Sequence, residues 1–238
     1  MLPFLIGGAA LLLLWAASTD KGQETVKDLL SPAQFVLKYY RDAVLSQFDT
    51  GVPALSTLAQ GGKESNWGKS APGFNFFGIK AGKSWKGETQ ELKTWECGTT
   101  GDPVKDGITD KIIAIYPPGS SQGICGLPNS DFQEWLTYQD KYKLPGQVMI
   151  SGMGKGEFYS YRVYSKFRKY PSAKDSFIDH GRFLRDNPRY KKAFLTSTPE
   201  AFITEVHRAG YATDPLYSSA LIKLIGAIRE VLTRAGLI

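Results

Sequence analysis

The chain has few of the residues that build metal and redox sites. Its 238 residues include two cysteines and two histidines. Cys97 and Cys125 fit neither a CxxC redox motif nor a zinc-ligand spacing, and His180 and His207 also lack metal-ligand spacing. The sequence contains no glycine-rich phosphate-binding loop and no nucleophilic triad. We therefore expect no cofactor and no bound metal.

Acidic residues are also in deficit, which gives the chain a formal net charge of +6. The excess is concentrated in residues 155–192, which hold 11 basic and 4 acidic side chains. A basic stretch attracts any polyanion, including nucleic acid, anionic lipid and wall polymers. No zinc knuckle or RNA-recognition signature accompanies this one. We therefore expect no nucleic-acid partner and interpret the stretch as a solvated face.

One long apolar run stands out, at residues 2–17, and it ends where Asp20 and Lys21 begin a polar segment. Its length is at the lower limit for crossing a bilayer, which is about 17 residues. A secretory signal normally begins with Lys or Arg, and none occurs before Lys21. We predict an N-terminal anchor or signal segment at 1–19, with an uncleaved anchor favoured, and a linker at 20–31. Either alternative places the rest of the chain at or beyond a membrane.

Helix caps and hydrophobic periodicity predict a mostly helical chain with a small β-lobe. Ser31 followed by Pro32 is typical of a helix start, and Pro53 begins a second helix that carries Glu64 near its end. Alternating side chains predict two paired strands. The strands and the later helices are expected at residues 88–97, 158–167, 172–184, 198–209 and 214–232. The pattern predicts an α+β fold.

The segment between the two predicted strands, residues 98–156, is too long for a structureless loop in a compact domain. Residues 131–143 are predicted to form a short helix inside it. The segment is either a docking or substrate-contact subdomain, which would offer a protein partner a surface, or a packing elaboration. Cys97 and Cys125 flank part of it and either form a disulfide, as an oxidising compartment allows, or stay unpaired.

A carboxylate marks the place where the second predicted helix ends. Residues 59–80 read AQGGKESNWGKSAPGFNFFGIK, so Glu64 lies where the helix gives way to Trp67 and Gly68. A carboxyl group walled by aromatic rings is partly desolvated, and desolvation raises its pKa. A general acid that protonates a glycosidic oxygen near neutral pH needs such a pKa. The alternative is a surface pair of Lys63 and Glu64 at a fraying helix end.

This segment resembles the active-site segment of glycoside hydrolase family 73. Members of that family are peptidoglycan N-acetylglucosaminidases, and they include bacterial autolysins and the wall-piercing domain used in flagellar rod assembly. They typically read AQ-x-x-LES-x-WG-K-S and then N-[LF]-FGIKA. Further family blocks recur in order at Trp85/Gly87, Thr94/Glu96, Phe167/Arg168/Tyr170, Ser176/Phe177/Asp179/His180 and Gly210 to Tyr217.

The resemblance implies a lysozyme-like fold, with residues 32–238 as the glucosaminidase domain, and a set of site residues. Glu64 is the expected general acid and Glu96 the expected second carboxylate. A hydroxyl at Tyr211 is expected to hydrogen-bond the N-acetyl group or to position water. The residues expected to bind sugar are Asn75, Phe76, Phe77, Tyr217 and Trp67, with packing behind the acid as the alternative for Trp67. Glu88 and Glu91 are runners-up for the second carboxylate.

The chain departs from the family beside the acid. Gly61, Gly62 and Lys63 stand where the family usually has small or apolar helix formers. Two glycines cost a helix interior about 1 kcal/mol each relative to alanine. We expect the last turn before Glu64 to be loose or closely approached by another backbone.

The predicted activity is hydrolysis of the β-1,4 bond between N-acetylglucosamine and N-acetylmuramic acid in peptidoglycan glycan strands. Two alternatives are a lytic transglycosylase or muramidase on the same fold, and a membrane-anchored assembly or virion component that binds glycan with little turnover. The expected location is the periplasm or cell envelope, or a virion if the chain comes from a phage. Carboxylate separation decides between an inverting, a retaining and a substrate-assisted mechanism, and sequence does not supply that distance.

Overall fold

The computed structural model of the chain describes residues 31–118, 120, 158–212 and 214–238. The predicted N-terminal segment at 1–19 and the predicted short helix at 131–143 lie outside the described residues. Within the described ranges, none of the helices combines the length and the apolar character that a membrane span requires. The chain divides into two compact units, a helical unit and a sheet unit.

The helical unit comprises the described parts of residues 7–90, 167–212 and 216–238. Three single 3-10 turns, at Pro72–Phe74, Pro188–Tyr190 and Ala193–Leu195, connect its longer elements. Its α-helices are α1 (Pro32–Thr50), α2 (Ala54–Glu64), α3 (Ala173–Arg185), α4 (Pro199–Arg208) and α5 (Tyr217–Arg234).

Local capping explains most of the helix starts. The hydroxyl of Ser31 caps α1 within a full capping box, whereas the hydroxyls of Ser172 and Thr198 cap α3 and α4 by a single hydrogen bond each. Each of these side chains accepts a hydrogen bond from a backbone N–H that the first helical turn leaves unpaired. The last helix differs from the prediction, because α5 begins at Tyr217 and not at Asp214.

The core of the helical unit is rich in aromatic side chains. α1 packs on α2 and α3, while α5 packs on α2 and α4. Phe76 lies between Phe35 and Phe177, at ring-centroid distances of 5.7 and 5.4 Å. All three rings are buried, and full burial of a phenylalanine contributes about 1.5–3 kcal/mol. The C-terminal end of α2 therefore lies in apolar surroundings.

The sheet unit comprises the described parts of residues 91–166, with 214–215. In the described residues the strand Tyr159–Arg168 (β3) lies between Thr89–Gly98 (β1) and Lys111–Tyr116 (β2). The two predicted strands, β1 and β3, are therefore neighbours, as expected. The third strand comes from the predicted insertion and pairs antiparallel with β3, with Lys111 opposite Tyr164 and Ile115 opposite Tyr161. The insertion thus extends the sheet.

Two contacts hold the chain just after β1. The carboxylate of Asp106 accepts hydrogen bonds from the backbone N–H of Thr100 and from the hydroxyl of Tyr161. Cys97, near the end of β1, is disulfide-bonded. Cys125 lies outside the described residues, so its pairing with Cys97 stays a prediction.

Candidate active site

Glu64 is the last residue of α2, and its side chain points into the helical unit rather than into solvent. The residue is 3% exposed. Its Oε1 accepts a hydrogen bond from the Tyr217 hydroxyl at 3.0 Å. That hydroxyl in turn accepts one from Gln60 Nε2, one turn earlier on α2, at 3.1 Å. The other carboxylate oxygen, Oε2, is buried and has no hydrogen-bond partner among the described residues.

This environment favours the protonated form of the carboxyl group. Burial raises the pKa of Glu64 to about 7, against the smaller lowering effects of the Tyr217 hydrogen bond and the Lys63 charge. Desolvation penalises the charged carboxylate, and one hydrogen bond and one nearby cation offset that penalty incompletely. A substantial fraction of the molecules therefore carries a proton on Glu64 at neutral pH. A general acid must have that proton available.

The glycine pair before Glu64 has a packing reason. A Cβ added at Gly62 would lie 2.6 Å from Cζ3 of Trp67, whereas one at Gly61 would make an ordinary 3.5 Å contact with Phe77. Gly62 is therefore the position that lets the indole ring lie against the helix. Nothing loosens the turn, since α2 continues through both glycines to Glu64. An aromatic side chain makes the close approach that we expected of another backbone.

The chain turns sharply after the acid, with three successive residues in the left-handed region. Asn66, Trp67 and Gly68 have φ values of 49°, 58° and 84°. Non-glycine residues are disfavoured there by about 1–2 kcal/mol each. Ser65 stabilises the turn, because its hydroxyl donates to the Gly61 carbonyl and accepts from the Gly68 N–H. The result is a half-buried Trp67 ring packed on Gly62, which fits the predicted apolar wall.

Tyr211 and a buried histidine lie beside this acid. The Tyr211 and Tyr217 rings are 5.8 Å apart between centroids, and burial, followed by the charge of Glu64, raises the pKa of Tyr211. The Tyr211 hydroxyl is 3.1 Å from His180 Nε2. The imidazole is stacked on Phe77 at 3.7 Å. The structure therefore brings Glu64 and Tyr211 into one neighbourhood, and it adds His180, for which the sequence predicted no site role.

Four residues expected to bind sugar are buried instead. Phe76, Phe77 and Tyr217 are 1%, 4% and 0% exposed. A ring in the core has no free face for a pyranose, and the Tyr217 hydroxyl is already paired with the acid. The Asn75 amide donates to the carbonyls of Ile79 and Arg168. The expectation of sugar contact is corrected for this structure, in which these side chains shape the site from behind.

The candidates for the second carboxylate all lie at or on β1. Glu96 is half-buried, belongs to the sheet unit and has an interaction partner. Glu91 is exposed. Glu88 is also exposed and pairs with Lys169 at 2.8 Å, which lowers the pKa of its carboxyl group. A lowered pKa keeps Glu88 ionised, which suits a second carboxylate but not a general acid. The role of Glu96 stays a prediction.

Three of the family-like blocks meet in a polar cluster of the helical unit. Arg168 Nη1 pairs with Asp179 Oδ2 at 2.6 Å, and the Tyr170 hydroxyl donates to the same oxygen at 2.6 Å. The guanidinium also lies 4.7 Å from the centroid of the Trp85 ring. This cluster joins Arg168 and Tyr170 to Asp179 of α3 within the helical unit, which is the pattern of a structural ion pair. In the described part of the chain, no group of three or more His, Cys, Asp or Glu residues could hold a metal ion.

Comparison with known proteins identifies a family and several relatives of this chain. The model of a family described as "Glucosaminidase: Mannosyl-glycoprotein endo-beta-N-acetylglucosaminidase" matches residues 41–230. The chain is 29% identical over 221 residues to the peptidoglycan hydrolase FlgJ of Vibrio parahaemolyticus, covering 89% of the chain and 52% of that protein. It is 26% identical over 204 residues to the FlgJ of Salmonella typhimurium, covering 83% of the chain and 46% of that protein. The chain thus spans about half the length of these curated relatives.

Solved structures show the fold that these residues adopt. The glycoside hydrolase domain of Salmonella typhimurium FlgJ aligns with a TM-score of 0.56 at 22% identity, over 87% of this chain and 94% of that one. The catalytic domain of the autolysin Auto from Listeria monocytogenes aligns with a TM-score of 0.53 at 24% identity, over 87% of this chain and 90% of that one. The chain therefore has a mixed α/β, lysozyme-like fold with a small sheet.

Proposed function

The chain belongs to the glucosaminidase family, whose model matches residues 41–230, and we propose that it is a peptidoglycan hydrolase. The bond assigned to it is the β-1,4 bond between N-acetylglucosamine and N-acetylmuramic acid. The observation that carries this proposal is the buried Glu64, whose pKa is raised to about 7. Such a carboxyl group is a proton donor at the pH where a cell wall is remodelled.

In the proposed reaction, Glu64 donates its proton to the glycosidic oxygen as the bond to the leaving sugar breaks. Tyr217 holds Oε1 in place through its 3.0 Å hydrogen bond. The second oxygen, Oε2, has no other partner in the described residues and carries the transferable proton. Water then adds to the oxocarbenium-like carbon and releases a proton to a carboxylate, either Glu96 or the Glu64 left ionised by the first step. We assign stabilisation of that carbon to Glu96 and Tyr211.

The substrate assignment rests on the relatives and on the site together. The matched relatives are named peptidoglycan hydrolases. Trp67, whose ring packs on Gly62 two residues before Glu64, is only half-buried. Peptidoglycan lies outside the cytoplasmic membrane, so we place the activity in the cell envelope and assign the apolar residues 2–17 as its membrane anchor. The described residues around Glu64 require no cofactor for acid-catalysed hydrolysis.

A lytic transglycosylase is the second candidate, because Glu64 is the one buried carboxylate among the described residues. That reaction needs a single acid and no activated water. The products differ, since it leaves 1,6-anhydro-muramic ends and not reducing N-acetylglucosamine ends.

Digestion of purified sacculi tests both the activity and the bond. Mass spectrometry of the released muropeptides should show reducing N-acetylglucosamine ends for the wild-type chain. Glu64→Gln retains the shape and the acceptor for Tyr217 but cannot act as the acid, so we expect a loss of about 10²–10⁴-fold in rate. The matched control is Glu230→Gln, an exposed carboxylate on α5 to which no catalytic role is assigned. Undiminished digestion by Glu64→Gln would overturn the assignment, and anhydro ends would replace it with the second candidate.

A further inference from the structure

His180 is an unusual choice for a residue that only fills space. The side chain is 1% exposed, and its ring lies parallel to Phe77 at 3.7 Å between centroids with 6° between planes. Its Nε2 is 3.1 Å from the Tyr211 hydroxyl oxygen. Its Nδ1 is buried without a hydrogen-bond partner among the described residues. A phenylalanine would fill the same space without an unpaired polar atom, so packing alone does not account for the imidazole.

The protonation state of this ring follows from its burial. Burial lowers the pKa of His180 to about 3, so the imidazole is neutral at any pH at which a wall enzyme works. A neutral ring carries one N–H. Orphaned buried N–H donors are rarer in folded proteins than under-satisfied acceptors. The hydrogen is therefore assigned to Nε2, which places the bare lone pair on the unpartnered Nδ1.

This tautomer determines what the tyrosine can do. With Nε2–H donating to the Tyr211 oxygen, the hydroxyl hydrogen of Tyr211 is not used by His180. In the described part of the chain, His180 is the one hydrogen-bond partner of that hydroxyl. The same tyrosine ring packs 5.8 Å from the ring of Tyr217, whose hydroxyl is bonded to Glu64. The Tyr211 O–H therefore remains a free donor in the neighbourhood of the acid.

We propose that His180 is a positioning residue that holds Tyr211 as a hydrogen-bond donor to an acceptor oxygen of the bound glycan. The imidazole acts through the tyrosine and does not touch the substrate or exchange protons with it. The inference rests on the proposed glycosidase function and adds a specific role for the buried pair. It also explains why an imperfectly satisfied imidazole occupies a core position beside Phe77.

The test uses three single variants and one double variant of the full chain, assayed on sacculi with thermal unfolding measured in parallel. His180→Phe retains the stacked ring and removes the hydrogen bond, so we expect kcat to fall about tenfold with little change in KM. Its unfolding midpoint should equal or exceed that of the wild type, because the unpaired Nδ1 is gone. His180→Gln restores a donor near the Nε2 position and should recover part of the lost kcat.

The decisive comparison is a double-mutant cycle with Tyr211→Phe. If His180 acts through Tyr211, His180→Phe has no further effect on kcat in the Tyr211→Phe background. The inference is overturned if His180→Phe is fully active or loses equal activity in both backgrounds. It is also overturned if His180→Gln recovers no activity, or if the unfolding midpoint of His180→Phe is strongly lowered. A wild-type chain that releases no product would overturn the proposed function and this inference with it. An active wild type with an unaffected His180→Phe overturns the inference alone.

Discussion

Replacing Glu64 by glutamine should remove a large part of the pH dependence of folding stability. The pKa of this buried carboxyl group is raised from its ordinary value of 4.5 to about 7. The folded protein then binds the proton more tightly than the unfolded chain does. The contribution of Glu64 to stability is therefore complete below about pH 4.5 and is lost as the pH rises through about 7.

The size of the effect follows from the same two values. Each pH unit between them changes the free energy of unfolding by about 1.4 kcal/mol, so the full interval corresponds to about 3 kcal/mol. A glutamine at this position is neutral at every pH and loses nothing over that interval. Its amide nitrogen, in the place of Oε2, is unpaired among the described residues, but that cost does not depend on pH. The protonation of His180 is common to both proteins and cancels.

Urea denaturation at about pH 4.5 and about pH 8 measures the difference. The stability of Glu64→Gln relative to the wild type should rise by about 3 kcal/mol from the lower to the higher pH. Glu88→Gln is the matched control, because that carboxyl group is exposed and its pKa is lowered by Lys169. The control should not gain stability at high pH. Parallel pH curves for the wild type and Glu64→Gln would refute the reasoning, since they would mean that Glu64 is not held protonated by the fold.

Two further changes test the contacts around the acid. Tyr217→Phe removes the hydrogen bond that lowers the pKa of Glu64. The alkaline limb of the pH profile of kcat/KM on sacculi should therefore move to higher pH by about one unit. An unmoved limb would contradict the assignment of that limb to Glu64. Gly62→Ala would place a Cβ 2.6 Å from the Trp67 ring and should lower the free energy of unfolding by about 1–3 kcal/mol. Gly226→Ala, where a Cβ meets nothing within 4 Å, is its control and should instead stabilise by about 0.5–1 kcal/mol; equal effects of the two alanines in a urea titration would rule out the close packing at Gly62.

Elements with local signals were predicted well. The starts of α1, α3 and α4 depend on Ser31, Ser172 and Thr198, and each cap is made within the next three residues. The first and last strands show alternation, and the structure confirms that they are neighbours. The second strand along the chain, Lys111–Tyr116, also alternates in burial but was not predicted. Its pairing partner Tyr164 lies 53 positions from Lys111, and a pairing over that distance leaves no signal in the local sequence.

The glycines before the acid show how a local rule can mislead. Helix propensity predicts a weak last turn, because glycine is unfavourable in a helix interior. The structure shows a continuous helix whose missing side chain at Gly62 makes room for Trp67. The energy of that packing depends on Trp67, whose ring folds back onto the helix after a left-handed turn. Helix propensity describes single residues and does not include such a contact.

The local sequence predicts that Glu64 is the acid, but it does not predict the side chains that contact it. Glu64, its helix end and its aromatic neighbours occur within one short segment, so their chemistry follows from adjacent residues. Its hydrogen-bond donor Tyr217 is 153 positions away, and the partner of Tyr211 is 31 positions away. Those contacts form only when α3 packs on α1 and α5 packs on α2. The same packing buries Phe76 and Phe77 and removes water from the carboxyl group. The sequence alone therefore determines that a carboxylate stands at position 64. Only tertiary packing raises its pKa, because desolvation occurs when the helices bury the side chain.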